Sequence, residues 1–322
     1  MIIVTGAEGF IGSCLVSLLN ENQFNDLILV DDFNELPARA LNLQGKKYTA
    51  KVGRPEFFSW MDEHAHEVQF VFHIGARTDT TEKDEEIFKE LNLRFSQELF
   101  RRCAAEGIPM VYASSAATYG AGEMGYTDDE SKLDLLQPLN PYGRSKNDFD
   151  KWILTQENRP YFWVGLKFFN VYGPNEYHKA RMASVVYHAY HQIKNTGEVK
   201  LFQSHKPDYA DGAQMRDFIY VKDLCDVCLF LLHNRTHSGI YNLGSGQART
   251  WNDLAKSIFK ALDKPVKINY IPIPEDIRDA YQYFTEASMD KLKNVGYTKS
   301  FTSIEDGIAD YVCNYLEKET WC

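Results

Sequence analysis

Tyr142 and Lys146 stand four residues apart in Pro141-Tyr-Gly-Arg-Ser-Lys146, a stretch predicted to open a helix, so both side chains leave one face. A tyrosine titrates near pH ~10, too high for a proton acceptor at neutrality, and a neighbouring ammonium favours the phenolate and lowers that value. Ser114 and Ser115 end the strand predicted before it, Pro109-Met-Val-Tyr-Ala113, and bring two hydroxyl groups. Taken alone, a tyrosine and lysine at this spacing are more often a solvated helical pair than an acid/base dyad. The start of the chain changes that balance.

Met1-Ile-Ile-Val-Thr-Gly-Ala-Glu-Gly-Phe-Ile-Gly12 reads as a buried strand, a glycine-punctuated turn and a helix. Gly6 takes the angles of a tight strand-to-helix turn, Gly9 lets the main chain approach a pyrophosphate, and Gly12 lets the helix lie close on the strand. The helix N-terminus then turns its N–H groups and positive dipole end toward phosphates. A second strand, Leu27-Ile-Leu-Val30, ends at Asp31, about twenty residues past the glycines, the spacing of the acid that holds an adenosine ribose. The reading is a dinucleotide cofactor. A positive nicotinamide ring would add to the ammonium in lowering the Tyr142 pKa, and Lys146 can donate to the nicotinamide ribose.

The elements that must carry these groups alternate. Residues 32–54 read as a polar, irregular loop, Val68–Ile74 as a buried strand, and Gly75–Thr81 as a small polar turn. Ile87, Phe88, Leu91, Phe95, Leu99 and Phe100 recur at helical spacing with Asn92 among them. Strands are predicted at Phe162–Phe169, Val199–Phe202, Arg216–Val221, from Ile240 and over Val266–Ile271, with helices over Met182–Lys194 and Ile304–Leu316. Strands joined by crossover helices imply an α/β fold with a Rossmann-type, doubly wound parallel sheet and a smaller α/β substrate-binding domain. The expected division is residues 1–170 for the dinucleotide domain and 171–322 for the substrate domain, with segments near 216–246 returning to the first.

The chain has 322 residues, 44% hydrophobic and 25% charged, with a formal net charge of -10, which argues against a nucleic-acid or membrane-surface partner. No apolar run is long enough to span a bilayer, and a cytoplasmic location is expected. Six scattered cysteines form no disulfide framework; Cys225 and Cys228 lie in an apolar helix and read as buried small hydrophobes. His73, at a strand end, is expected to pack beside the cofactor without a chemical role. His188 and His191 have the spacing of a metal pair, but a donor to substrate is the preferred reading and no metal is expected.

Thr5-Gly-Ala-Glu-Gly-Phe-Ile-Gly12, Ala113-Ser-Ser-Ala-Ala-Thr-Tyr-Gly120, Tyr142 to Lys146, Phe169-Asn-Val-Tyr-Gly-Pro174 and Arg216-Asp-Phe-Ile-Tyr-Val-Lys-Asp223 together resemble the extended short-chain dehydrogenase/reductase superfamily of sugar-nucleotide epimerases and dehydratases. Glu176-Tyr-His-Lys-Ala-Arg-Met-Ala-Ser184, Lys200-Leu-Phe202 and Tyr281-Gln-Tyr-Phe-Thr285 are similar to segments of the ADP-L-glycero-D-manno-heptose 6-epimerase family. That resemblance implies inversion at carbon 6 of ADP-heptose, a precursor of the lipopolysaccharide inner core, by a homo-oligomeric enzyme using NADP, with NAD as the other possibility. It implies Tyr142 and Lys179 as acid/base groups, with Lys146 and Ser115 assisting. Gly6, Gly9, Phe10, Ile11, Gly12, Asp31, Asp32, Arg39, Gly75, Ala76, Arg77, Thr78, Asp79, Asn92, Lys146, Val171 and Lys179 would face the cofactor. Ser114, Ser115, Asn170, Arg181, His188, Phe202, Gln203, Ser204, His205, Arg216 and Tyr281 would face the substrate.

Arg216 is suited to a pyrophosphate because its planar fork matches phosphate oxygens; the bland alternative pairs it with Asp217 or Asp223. Three departures from the family stand out: Arg181 replaces a usual serine and adds charge at the substrate's edge, Gln203–Gln214 is longer than usual, and Ala38 replaces a lysine, with Arg39 adjacent and Lys51 and Arg54 near. The other readings are a reductase, dehydratase or epimerase acting on a different nucleotide sugar, and a non-catalytic dinucleotide-binding protein. Ser115-Ala116-Ala117 lacks the acidic residues a dehydratase would place beside its substrate. An idle protein would have no reason to keep tyrosine, lysine and serine together.

Overall fold

Ile2-Ile-Val-Thr5 is buried at every position, as a strand covered on both faces must be. The computed structural model describes residues 1–33, 36–278 and 281–322, and all but the side chains of residues 276 and 277 among them. Its strands run β1 (Ile2–Thr5), β2 (Leu27–Asp31), β3 (Ala50–Gly53), β4 (Phe70–His73), β5 (Met110–Ser115), β6 (Trp163–Phe168), β7 (Asn170–Tyr172), β8 (Val199–Phe202), β9 (Met215–Tyr220), β10 (Gly239–Leu243), β11 (Ala248–Thr250) and β12 (Ile268–Ile271). Seven form one parallel sheet in the order β10-β6-β5-β4-β1-β2-β3. The order reverses between β1 and β4, and a crevice opens outside the carboxyl ends of strands at such a point.

The helices that cover the sheet are α1 (Phe10–Glu21), α2 (Phe57–His64), α3 (Glu85–Phe88), α4 (Phe95–Ala105), α5 (Pro141–Thr155) and α7 (Val221–His233), after α6 (Val185–Thr196). In α1, Phe10, Cys14, Leu15, Val16 and Leu19 are buried, and α7 lies against it with Cys225 and Cys228 buried as small apolar groups. Between α3 and α4 the chain makes a π turn, Lys89–Arg94, which turns Asn92 inward. The amphipathic pattern of residues 87–100 is thus one helical rod whose regular spacing is broken at a polar residue. π turns of this kind gather at functional sites.

A three-stranded sheet, β11-β9-β7, and a two-stranded one, β12-β8, make the second layer with α6 and α8 (Trp251–Ala261). Strand β10 pairs with β6, so residues 239–243 belong to the large sheet, whereas β9 does not. Two expectations are corrected. The stretch 32–54 holds a 3-10 helix, Pro37–Leu43, and the edge strand β3 paired with β2. The helix expected from Met182 begins at Val185, capped by Ser184, whose side chain accepts from Tyr187 N; before it lies a separate 3-10 turn, Tyr177–Met182.

Candidate active site

Gly6 adopts φ +66° and lies so close to the loop after β4 that a Cβ on it would sit 2.5 Å from Gly75 Cα. A Cβ on Gly12 would come 2.1 Å from the Gly6 carbonyl oxygen, so only glycine lets α1 start against the turn. Gly9 caps α1 without a side-chain hydrogen bond, and no acidic residue stands in the first turn, where Phe10 is buried and Ile11 half-buried. These open N–H groups at the sheet's switch point fit the diphosphate of a dinucleotide.

At the carboxyl end of β2 Asp31 accepts from the Glu8 and Asp32 backbone N–H groups, and Arg39 Nη2 lies 2.5 Å from its Oδ1. Arg54 pairs with Asp32 at 3.2 Å, and Lys51 stands 3.6 Å from Glu8. Burial raises the Glu8 pKa even though Lys51 and Arg39 oppose it. Every carboxylate here therefore has a base beside it, which removes the repulsion that two bare acids would offer to an added phosphate. Asn42, unremarkable in the sequence, donates to the Glu8 and Asn175 carbonyls and ties this end to the segment that carries Lys179.

Gly75, Ala76, Arg77 and Thr78 run as an irregular loop from β4 to Asp79. The buried Asn92 clamps it: Arg77 N donates to Asn92 Oδ1 at 2.8 Å, and Asn92 Nδ2 donates to Arg77 O and Ser145 Oγ at 3.0 Å. Behind the loop a polar thread joins Gly75 N, Thr5 Oγ1, His73, Ser96 Oγ and Asn92 O. Burial lowers the His73 pKa to about 3, so the ring is neutral and structural.

Asn140 caps α5 by accepting from Gly143 N at 2.8 Å, with Pro141 in the first turn, and this fixes the start of the helix, where the half-buried Tyr142 stands. Ser115, at the end of β5, accepts from Ala117 N, and its side chain lies near enough to Tyr142 to oppose the effect of burial on that phenol. Lys146 Nζ donates to the Ala113 carbonyl at 2.7 Å, and burial lowers its pKa to about 8 against the pull of Asp150. Here the sequence expectation is corrected: burial raises the Tyr142 pKa, and Ser115, not the Lys146 ammonium, is the group that counters it.

Beneath this pair lies a cluster that the sequence reading passed over. Asp150 accepts from Tyr112 OH at 2.9 Å, Ser114 Oγ at 2.7 Å and Lys167 Nζ at 2.7 Å, and Lys167 also donates to Thr118 Oγ1. Ser114 is thus turned into the core rather than toward a substrate. Two signals were present: Asp150 stands one helical turn past Lys146, and Lys167 is a lone charge inside an apolar strand.

Lys179 sits on the 3-10 turn with its ammonium 5.9 Å from the Phe10 ring; burial lowers its pKa, and Glu176 opposes. Glu176 is itself wholly buried, accepting from Ser184 Oγ at 2.7 Å and from Ser184 N. Ala180, directly after Lys179, takes φ +46° and ψ -126°, a strained conformation for a residue with a Cβ. Arg181, expected to add charge at the substrate's edge, reaches Asp79 at 3.1 Å and Thr81 Oγ1, so its charge is paired with the loop after β4. His188, half-buried on α6, meets the Arg181 carbonyl at 3.4 Å.

Arg216, 8% exposed on β9, donates to the Met215 and Gln282 carbonyls, with its guanidinium over the rings of Trp251 at 5.7 Å and Tyr281 at 5.4 Å. Asp217 instead takes the Ser245, Gly246 and Ala287 N–H groups, and Asp223 takes Thr302, so the bland pairing is overturned. Phe202 meets Tyr281 edge-on at 5.9 Å. The segment after it is stapled by Tyr283, whose hydroxyl meets His205 N, His205 Nδ1 and Ser204 Oγ, while Gln203 N donates to Ile271 O. Asn170, exposed, and Val171 lie on β7 opposite Phe218 and Ile219 of β9.

Residues 2–244 match the model of the NAD dependent epimerase/dehydratase family. The chain is 47% identical to the ADP-L-glycero-D-manno-heptose-6-epimerase of Fusobacterium nucleatum, covering 99% of each protein, and 48% identical to that of Nitratidesulfovibrio vulgaris, covering 98% of each. Its fold superposes on the crystal structure of the Helicobacter pylori ADP-L-glycero-D-manno-heptose-6-epimerase with a TM-score of 0.80 and 27% identity, over 97% of this chain and 95% of that one. Glycine turn, tyrosine–serine–lysine group and near end-to-end likeness agree: the chain belongs to the NAD dependent epimerase/dehydratase family of enzymes, on the branch of the ADP-L-glycero-D-manno-heptose-6-epimerases.

Proposed function

We propose that this protein is a cytoplasmic isomerase that inverts carbon 6 of ADP-glycero-manno-heptose in the supply of lipopolysaccharide core precursor. The observation that carries the reading is Tyr142 and Lys146 one turn apart on α5, with Ser115 at the end of β5, in a chain alignable almost end to end with such epimerases. A carbinol carbon has no acidic hydrogen, so inversion needs oxidation to a ketone, rotation of that ketone, and reduction from its other face. A nicotinamide dinucleotide supplies the hydride acceptor and returns the hydride. Gly6, Gly9 and Gly12 would seat its diphosphate, Asp31 its ribose, and the loop 75–79 with Lys146 its nicotinamide end.

Tyr142 would take the hydroxyl proton on one side of the carbon, held by Ser115 and drawn toward phenolate by the positive ring of the bound cofactor. Lys179, whose burial brings it nearer neutrality, would serve the opposite side. Arg216, between Trp251 and Tyr281, would grip the pyrophosphate, with Phe202 and the 203–205 segment walling the nucleotide.

NADP is the proposed cofactor. Arg39 beside Asp31, with Lys51 and Arg54 close by, supports room for a 2'-phosphate. Stripped protein titrated with both cofactors is expected to bind NADP more tightly and to lose that preference in Arg39→Ala; tighter NAD binding, unchanged in the variant, sinks the assignment. The epimerase reading itself is tested by supplying one ADP-heptose epimer and separating the products. Failure to form the other epimer without added reductant overturns it.

A further inference from the structure

Cys14 and Cys322 are as far apart in the sequence as two cysteines here can be, yet their Sγ atoms lie 2.9 Å apart. That is well inside ordinary non-bonded contact, about 3.5 Å or more, and ~0.9 Å outside a sulfur–sulfur bond. Both thiols are free. Cys14 is 4% exposed on α1, the helix that follows the glycine turn, and its sulfur also meets the Pro174 carbonyl at 3.4 Å. Cys322 is half-buried and held by its backbone, whose N–H donates to Asn175 Oδ1 at 3.0 Å and whose carbonyl accepts from Lys46 Nζ. Asn175 in turn donates to Ser13 Oγ at 2.9 Å, so the same side chain orients both ends of the pair.

The other four cysteines have no such partner in reach of a reagent. Cys103, Cys225 and Cys228 are buried, and Cys313 is exposed with its sulfur 3.5 Å from the Ala261 carbonyl. Chemistry also separates the two members of the pair. The hydrogen bond shared with Cys14, and behind it the Lys46 ammonium, hold the Cys322 thiol below its usual range, whereas burial pushes Cys14 well up. The less buried thiol is thus the better nucleophile and the more deeply buried one is placed to follow it.

We propose that Cys14 and Cys322 form a reversible dithiol–disulfide site whose oxidant is a low-molecular-weight disulfide. The Cys322 thiolate attacks one sulfur of the small disulfide; a protein–small-molecule disulfide forms and one small thiolate leaves, taking up a proton. The Cys14 sulfur then attacks Cys322 Sγ, the bond to the small molecule breaks, and the second small thiolate leaves with the Cys14 proton. Two protein thiols are oxidised, and one disulfide is reduced to two thiols. The bridge would lock residues 320–322 onto α1. Thr320 O accepts from Tyr177 OH at 2.8 Å and Trp321 packs edge-on against Tyr177, two residues before Lys179, so the lock reaches the 3-10 turn that carries this lysine.

The test uses reduced, cofactor-bound protein exposed to oxidised glutathione at neutral pH, quenched by alkylation and digested without reduction. A Cys14–Cys322 linked peptide, loss of two thiols, reversal by dithiothreitol and a higher thermal midpoint of the oxidised form are expected. Cys322→Ser is expected to lose all four, and Cys14→Ser to stop at a stable glutathione adduct on Cys322. If Cys14→Ser does not fold, the wild-type peptide map and Cys322→Ser decide alone. A persistent Cys322 adduct in the wild type, a bridge through Cys313, or no loss of thiols overturns the proposal.

Discussion

At the scale of single residues, burial sets most of the chemistry. His73 illustrates its energetic side. Its pKa falls from 6.5 to about 3 in the folded chain, so between those values the unfolded chain holds a proton that the folded one lacks. Stability therefore drops as pH falls from 6.5 toward 3, by an amount on the order of 5 kcal/mol if no other group compensates, and no further below. His73→Gln is expected to flatten that acid limb in urea titrations; an unchanged slope would show that His73 is not the titrating group. Arg216 carries a second prediction. Arg216→Ala should weaken nucleotide-sugar binding by about 1.5 to 3 kcal/mol while leaving the cofactor bound, read by calorimetry of each ligand. Normal affinity for ADP in that variant would assign the arginine to the aromatic stack alone. For the acid/base pair, Tyr142→Phe and Lys179→Met should each abolish epimerisation and retain cofactor, and rapid mixing with the keto-sugar should show which epimer each still makes. Lys179→Met producing both epimers at the wild-type rate would leave Tyr142 to act alone.

At the scale of elements, the 3-10 turn before α6 has the most to test. Ala180 stores strain between the candidate base Lys179 and Arg181, which anchors to Asp79. Ala180→Gly is expected to gain about 1 kcal/mol in stability and to lower kcat, since the lysine is then less firmly held. A variant no more stable than wild type would mean the strain is relieved elsewhere. Elements of this kind also mark where the sequence stopped being legible. Glycine turn, tyrosine helix and buried strands announced themselves by spacing, because periodicity and φ requirements are local. The short edge strand β3, Ala50-Lys-Val-Gly53, did not: three of its four positions are not buried, so it has neither apolar run nor clear alternation. The π turn at Asn92 was hidden because the apolar spacing on either side still reads as one helix. The Asp150–Lys167 pair was missed although both residues are conspicuous, since partnership across α5 and β6 depends on packing that no local pattern encodes.

At the scale of the whole molecule, the large sheet is completed late. Strand β10 covers β6, whose Trp163, Val164, Leu166 and Phe168 are buried, so a fragment of residues 1–170 leaves an apolar edge strand without its neighbour. That fragment is expected to aggregate or fail to unfold cooperatively; a monomer with a sharp thermal transition would show that the dinucleotide half stands alone. The thread from Gly75 to Asn92 binds β1, β4 and the π turn into one body, and it fixes more than position. Asn92 O can only accept, so Ser96 must donate to it and must itself accept from His73 Nε2. The neutral ring then has its bare nitrogen at Nδ1, which takes the Thr5 hydroxyl proton, and Thr5 Oγ1 takes the N–H of Gly75. Every hydrogen in the line points the same way, from the sheet's switch point toward the crossover helix. One tautomer is written into the backbone, and reversing any bond would set two donors or two acceptors face to face in a dry interior.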